Sequence, residues 1–268
     1  MALRVAITAA ASGIGLAVAR AFAAQGDDVH VCDVNTEAVA AAAAEGLVAT
    51  QVDVADLAAL DRWIDGVLDR LGGLDVLVNN AGIAGPTALV EDVAAEEWEH
   101  CLAVGLTSHY RACARVIPAM KVARSGSIVN ISSTAGQVGL GMRAPYTAAK
   151  WAVIGHTKTL AIELGPYGVR ANAICPGSDD GERMRGVIER EAAARRSRDR
   201  DPERHWRRRI RVRAYGRRTK TEPDVSPASS RQPERPSMRP ASTGFWTSLT
   251  RTMPLPASGP RSPRTKLA

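Results

Sequence analysis

Cysteine is sparse in this 268-residue chain: Cys32, Cys101, Cys113 and Cys175 stand far apart, with no Cys-x-x-Cys and no histidine at ligand spacing. Neither a disulfide framework nor a zinc site is expected, so the metal complement is read as none. No apolar stretch approaches the roughly 20 residues that a membrane-crossing helix needs. Met1-Ala2-Leu3-Arg4 leads into a short apolar run without the basic start and long hydrophobic segment of a secretory signal. A soluble, cytoplasmic protein with reduced thiols and no membrane partner is expected. Internal repeats of solenoid length are also missing, and the length suits one sizeable α/β domain.

Charge is unevenly spread. The formal net charge is +7, from 35 Lys+Arg and 28 Asp+Glu. From Arg183 onward there are 23 Lys+Arg against 8 Asp+Glu, so the preceding body is acidic and the end strongly basic. The same end holds nine Leu, Ile, Val and Phe together and ten of the 15 prolines. That is too little apolar material for a packed core, and residues 195–268 are expected to be a disordered Arg/Pro/Ser-rich tail. A basic arm for nucleic acid is one reading, because Trp206 sits among Arg204, Arg207, Arg208 and Arg209. It is disfavoured: 21 Arg to two Lys without periodicity fits an out-of-frame translation of a GC-rich gene better.

Within residues 1–194 short apolar runs alternate with helical patterns. Val5-Ala6-Ile7 ends in Thr8, and Ala9 to Gly15 then turns into the helix of Leu16 to Phe22. A small-residue turn between strand and helix lets backbone N–H groups face a pyrophosphate, with Ser12, Gly13, Ile14 and Gly15 at the approach. Val29 to Cys32 is a second strand, ending in Asp33 roughly 20 residues after the turn, where a carboxylate accepts both hydroxyls of an adenosine ribose and repels a 2′-phosphate. NAD is therefore expected over NADP. A third strand, Leu47 to Val52, ends at Asp53-Val54, placed for an adenine amino group. A fourth, Leu74 to Val78, runs into Asn79-Asn80-Ala81-Gly82, whose amides can tie strand ends together while the small residues leave room for a flat ring. For both stretches the plain alternative is a turn or cap role.

Glu96 to Met120 reads as one long helix interrupted at Gly105-Leu106. Ser127 to Ile131 is a fifth strand with Ser132-Ser133 at its carboxyl end, and Val169 to Cys175 a sixth, closing on Pro176-Gly177. Between them lies Tyr146-Thr147-Ala148-Ala149-Lys150, and in a helix Tyr146 and Lys150 share one face at i and i+4. An ammonium beside a phenol favours the ionised ring and makes the tyrosine a proton donor and acceptor. Ser133 can reach the same place and hold a carbonyl oxygen. Gly181 to Ala194 looks like the start of a further helix. Strands and helices in alternation give an α/β class: a doubly wound parallel sheet, Rossmann-like, lacking its last strand.

Taken in order, the Thr8…Gly13-Ile14-Gly15 turn, Asn79-Asn80-Ala81-Gly82, Ser133 with Tyr146-x-x-x-Lys150, and Pro176-Gly177 resemble the short-chain dehydrogenase/reductase family over about two thirds of the chain. The resemblance implies hydride transfer between C4 of a nicotinamide and a carbonyl or alcohol carbon of a small-molecule alcohol or ketone. It gives Tyr146 the proton, Ser133 the substrate oxygen, and Lys150 both the tyrosine and the nicotinamide ribose. It also implies a homodimer through the two long helices. Three departures stand out. Ala9 replaces the usual first glycine, Gly105 replaces an asparagine that holds a relay water, and the pattern stops beyond Arg195. Reduced turnover is the expectation from Gly105, and a catalytically silent dinucleotide-binding protein is the alternative.

Overall fold

The computed structural model describes residues 2–177 and 182–196. The tail expected over 195–268 therefore lies, apart from its first two residues, outside the described residues. Six strands form one parallel sheet: β1 Arg4–Thr8, β2 Asp28–Asp33, β3 Val48–Gln51, β4 Val76–Asn79, β5 Gly126–Ile131 and β6 Val169–Ile174. Their order is β3-β2-β1-β4-β5-β6. The chain crosses from the β3 edge back past β1 to lay down β4, so the order reverses between β1 and β4, and a crevice opens at their carboxyl ends.

The intervening helices are α1 Gly13–Ala23, α2 Thr36–Ala44, α3 Leu57–Leu71, α4 Ala95–Leu102, α5 Ser108–Ala123, α6 Ala144–Leu164 and α7 Glu182–Arg196. Their limits follow side-chain chemistry. Asn35 caps α2 by accepting from Ala38 N–H at 2.9 Å, and Asp56 caps α3 by accepting from Ala58 and Ala59 N–H, each at 3.0 Å. Gly72, left-handed at φ 65°, ends α3. The long helix read over Glu96 to Met120 is continuous in the structure, and the interruption read at Gly105-Leu106 is a π turn over Ala103–Thr107 that joins α4 to α5 without a break. The helix is widened by one residue around Gly105 and continues.

Alternation along the strands divides the core between two faces, as a sheet covered on both sides requires. Ala6, Leu77 and Ile128 pack with Leu60 and Ile64 of α3, Val116 and Met120 of α5, and Leu164 of α6. Val5, Ile7, Val31, Val76 and Val78 pack on the other face with Ala19 of α1 and Ala42 of α2. Small alanines on α1 and α2 bring those helices close to the sheet. Arg4 clamps the amino end of the sheet, with Nη2 at 2.7 Å and Nε at 2.9 Å from the two carboxylate oxygens of Asp75. Arg111 and Arg115 on α5 pair with Asp61 and Asp65 on α3, so two helices in contact carry matched charge at i and i+4. No described helix is long and apolar enough to cross a membrane.

Candidate functional site

Thr8, at the end of β1, fastens the crevice floor. Its hydroxyl accepts from Asn80 N–H at 3.1 Å and Ala81 N–H at 3.2 Å, while the Asn80 amide donates to Ala9 O at 2.7 Å. The turn after β1 is thus tied to the end of β4. Ala9 sits at φ 50°, a left-handed conformation that costs a residue with a Cβ about 1 kcal/mol. That is the physical reason a glycine is usual there, and the methyl group is accommodated. Gly15 is constrained more severely, since a Cβ would lie 2.6 Å from Ala9 O and from the Asn80 amide nitrogen. The first bond of the α1 ladder runs from Leu16 N–H to Ser12 O at 3.1 Å. The N–H groups of Gly13, Ile14 and Gly15 thus precede the ladder, the arrangement of donors at a helix start that suits an anion.

Asp33, 8% exposed, stands beside this turn and accepts from Ala11 N–H at 3.2 Å and Asn35 N–H at 3.1 Å. Asp53 is exposed, and its Oδ1 accepts from Ala55 N–H at 2.9 Å, which is the turn role weighed for it; Val54 beside it is buried. Next to the crevice a buried polar line crosses the sheet. The Asn79 amide donates to Asn130 Oδ1 at 2.8 Å, and the Asn130 amide to Thr157 Oγ1 of α6 at 2.9 Å.

Lys150 is the centre of the arrangement. Only 4% exposed, it donates from Nζ to Ile131 O at the end of β5, at 2.8 Å. A Cβ on Gly82 would lie 3.0 Å from that Nζ, so the smallness of Gly82 leaves the ammonium its place. The Tyr146 ring centroid is 5.9 Å from the same nitrogen, on the shared helical face. Ser132 donates from its hydroxyl to Lys150 O at 2.8 Å, and Gly136 closes against that carbonyl, where a Cβ would come within 2.6 Å. Ser133 is extended, so its side chain points away from that of Ser132. Its Oγ accepts from Ala135 N–H at 3.1 Å, leaving the hydroxyl proton as a donor. Thr134 N–H bonds Pro176 O at 3.0 Å, laying Pro176-Gly177 alongside the Ser133 turn.

Three residues were missed in the sequence. Ser132 docks α6, which nothing in a Ser-Ser pair distinguishes. His109, one turn beyond Gly105, is fully buried, with Nε2 2.9 Å from Ala81 O and Nδ1 without a partner. Burial, with the Lys150 charge added, pushes its imidazole down to about 3. Arg143, directly before α6, is 6% exposed, and its guanidinium carbon lies 5.0 Å from the Tyr146 ring centroid. A cation three residues ahead of the tyrosine was visible; its burial was not. Gly105 faces α6, where an added Cβ would touch that of Ala149 at 3.4 Å. Cys32 and Cys113 are buried thiols pushed up to about 12, and neither is a nucleophile near neutrality.

The family model described as short chain dehydrogenase matches residues 4–192. A trans-4-hydroxycyclohexanecarboxylate dehydrogenase of Sinomonas cyclohexanicum is 40% identical over 184 residues, 64% of this chain and 70% of that protein. A 3-alpha-(or 20-beta)-hydroxysteroid dehydrogenase of Mycobacterium bovis is 41% identical over 174 residues, 64% of this chain and 66% of that protein. Among solved structures, NAD+-bound xylitol dehydrogenase superposes with a TM-score of 0.70 at 31% identity, covering 78% of this chain and 83% of that one.

Burial of His109 as the neutral imidazole has a sign for stability. Between its folded value of about 3 and the unfolded value of about 6.5, only the unfolded chain takes up the proton, so stability falls as pH drops below about 6.5. By about pH 5 the loss from this residue is roughly 2 kcal/mol. His30 and His156, lowered chiefly by burial, act in the same direction. His109→Asn is expected to flatten the pH dependence of urea unfolding between about pH 7.5 and about pH 5 by about 2 kcal/mol. An unchanged slope contradicts this assignment.

Proposed function

Because this chain belongs to the short-chain dehydrogenase family of nicotinamide-dependent oxidoreductases, we propose that it interconverts a small secondary alcohol and its ketone, with NAD as the cofactor. The carrying observation is the buried Lys150 ammonium, held on Ile131 O beside Gly82 and below the Tyr146 ring. A bound nicotinamide supplies or accepts the hydride. Tyr146 gives the proton to the carbonyl oxygen or takes it from the alcohol, and Ser133 orients that oxygen by donating to it. Lys150 stands one helical turn from the phenol and donates to a ribose hydroxyl of the bound cofactor. The turn of Ser12, Gly13, Ile14 and Gly15 holds the pyrophosphate. Asp33 holds the adenosine ribose, and Asp53 with Val54 the adenine. Asn80, Ala81, Gly82, Pro176 and Gly177 shape the nicotinamide end. Residues 1–194 make up this oxidoreductase domain.

NAD is preferred because Asp33 is buried and followed by Val34 and Asn35, so a 2′-phosphate meets negative charge and no arginine. Asp33→Ser is expected to lower the NAD over NADP preference in kcat/KM by about tenfold or more. A preference left unchanged, or one for NADP in the starting protein, overturns the choice.

Gly105 favours a second reading, a dinucleotide-binding protein without turnover, since no amide side chain stands at that position to hold a relay water. Steady-state oxidation of secondary alcohols with NAD separates the two. Measurable turnover that Tyr146→Phe reduces by about 100-fold or more supports the enzyme, and Gly105→Asn is expected to raise it. NAD binding without turnover in either the starting protein or Gly105→Asn supports the silent reading.

Pairing through α4–α5 and α6 covers the exposed Tyr110, Trp151 and Ile162 in a homodimer. Light scattering is expected to report a dimer that Trp151→Glu dissociates. A monomer or a sharp tetramer from the unaltered chain contradicts this.

A further inference from the structure

Arg143 is a buried titratable group near Tyr146 that the reaction described above does not use. It lies where three segments meet. Its backbone opens α6, its Nη2 donates to Ala84 O at 2.7 Å in the loop after β4, and α7 brings Glu191 and Arg190 within electrostatic reach. The preceding residue, Met142, holds φ 62°, and its carbonyl accepts from Ala88 N–H at 3.2 Å, so the loop presenting the arginine is fastened to the loop after β4.

A guanidinium remains charged even where burial works against it, as burial does here. Buried charge is tolerated when it is paired and fully hydrogen-bonded. Arg143 has one carbonyl and the face of the Tyr146 ring, while its Nε, fully shielded from solvent, has no hydrogen-bond partner. None of the four ion pairs among the described residues includes it. The titratable groups that face it are Tyr146 on its own helix, Glu191 and Arg190 on α7, and Cys101 on α4. Glu191 acts on it more strongly than Arg190, so α7 contributes some compensation, but none of the four ion pairs joins that carboxylate to the guanidinium.

We propose that Arg143 binds a carboxylate on the substrate, so that the molecule oxidised or reduced at Tyr146 is a small hydroxy acid or keto acid. A guanidinium carries five N–H donors, of which Nη2 is seen spending one on Ala84 O, so Nη donors are left to a carboxylate, and such contacts are short, directional and strong when water is excluded. The guanidinium carbon lies 5.0 Å from the tyrosine ring, so carboxylate and reacting carbon are separated by a few bonds. The assignment rests on the oxidoreductase reading for the reacting end alone; the anion site stands on Arg143 itself.

Two pairs of probes that cannot react with oxidised NAD isolate the head group. The full-length protein, saturated with NAD, is titrated calorimetrically with 4-oxopentanoate and with 2-pentanone, and again with pyruvate and acetone. At least one keto acid is expected to bind about tenfold or more tightly than its neutral partner. Arg143→Met is expected to erase that difference, Arg143→Lys to keep part of it, and both to leave NAD affinity unchanged. Equal binding of acid and ketone in the starting protein overturns the proposal without any variant, and so does a difference that survives Arg143→Met. Turnover is scored separately with 4-hydroxypentanoate and 2-pentanol. An acid that binds through Arg143 but is not oxidised overturns the activity and leaves the anion site. Equal kcat/KM for the acid and 2-pentanol leaves the activity and overturns the anion site.

Discussion

The bond from Lys150 Nζ to Ile131 O is the constraint on which the site depends. An ammonium taken out of water loses several kcal/mol of hydration, and only donors satisfied in fixed directions return it. The carbonyl that accepts here is the last of β5, so the charge is anchored to the sheet and not to a loop. Every neighbouring feature serves that anchoring. Ser132 and Gly136 let the backbone of α6 come down onto the strand end, and Gly82 leaves the room that a methyl group would take. The position of Tyr146 follows, because it lies one turn earlier on the same rigid helix.

The same logic explains why the sheet is apolar along its length and polar at one end. Leu77 and Ile128 fill the middle with no exposed surface, whereas Asn79 and Asn130, equally buried, lie at the carboxyl ends and spend their amides on each other and on Thr157. A buried amide is costly without partners and directional with them. The line from β4 through β5 to α6 therefore fixes the register of helix on sheet beside Lys150. Thr8 and Asn80 do the corresponding work between β1 and the turn that opens α1.

Much of this was readable from the residues because it depends on periodicity and on chemistry local in sequence. The strands, their alternation with helices and the i, i+4 pairing of Tyr146 with Lys150 all belong to that class. What escaped depends on contacts between distant segments. Ser132 and Ser133 are indistinguishable on paper; an extended backbone turns one into α6 and the other away from it. His109 looked like one more polar residue on a mixed helix, and only its burial against Ala81 O gives it a meaning. Gly105 was read as an interruption, yet a helix can absorb an extra residue as a π turn and continue, because the Ser108 hydroxyl takes up Val104 O at 2.7 Å. Arg143 was overlooked because charge beside a helix start is ordinarily solvated, and sequence carries no sign that three segments enclose it.

These contrasts separate binding from turnover in physical terms. The groups proposed to face a dinucleotide are backbone N–H groups, positions where only hydrogen fits, and one buried carboxylate, and none of them touches Gly105. A glycine at position 105 offers α6 a surface without a side-chain donor, and the widened backbone of the π turn lies against Ala149, next to the lysine. His109, on the following turn, carries a bare Nδ1 in the same buried region, an acceptor with no protein partner. A neutral imidazole of this kind can accept a hydrogen bond from water but cannot repel the lysine. Its depressed basicity is therefore compatible with the ammonium that the whole arrangement is built to hold.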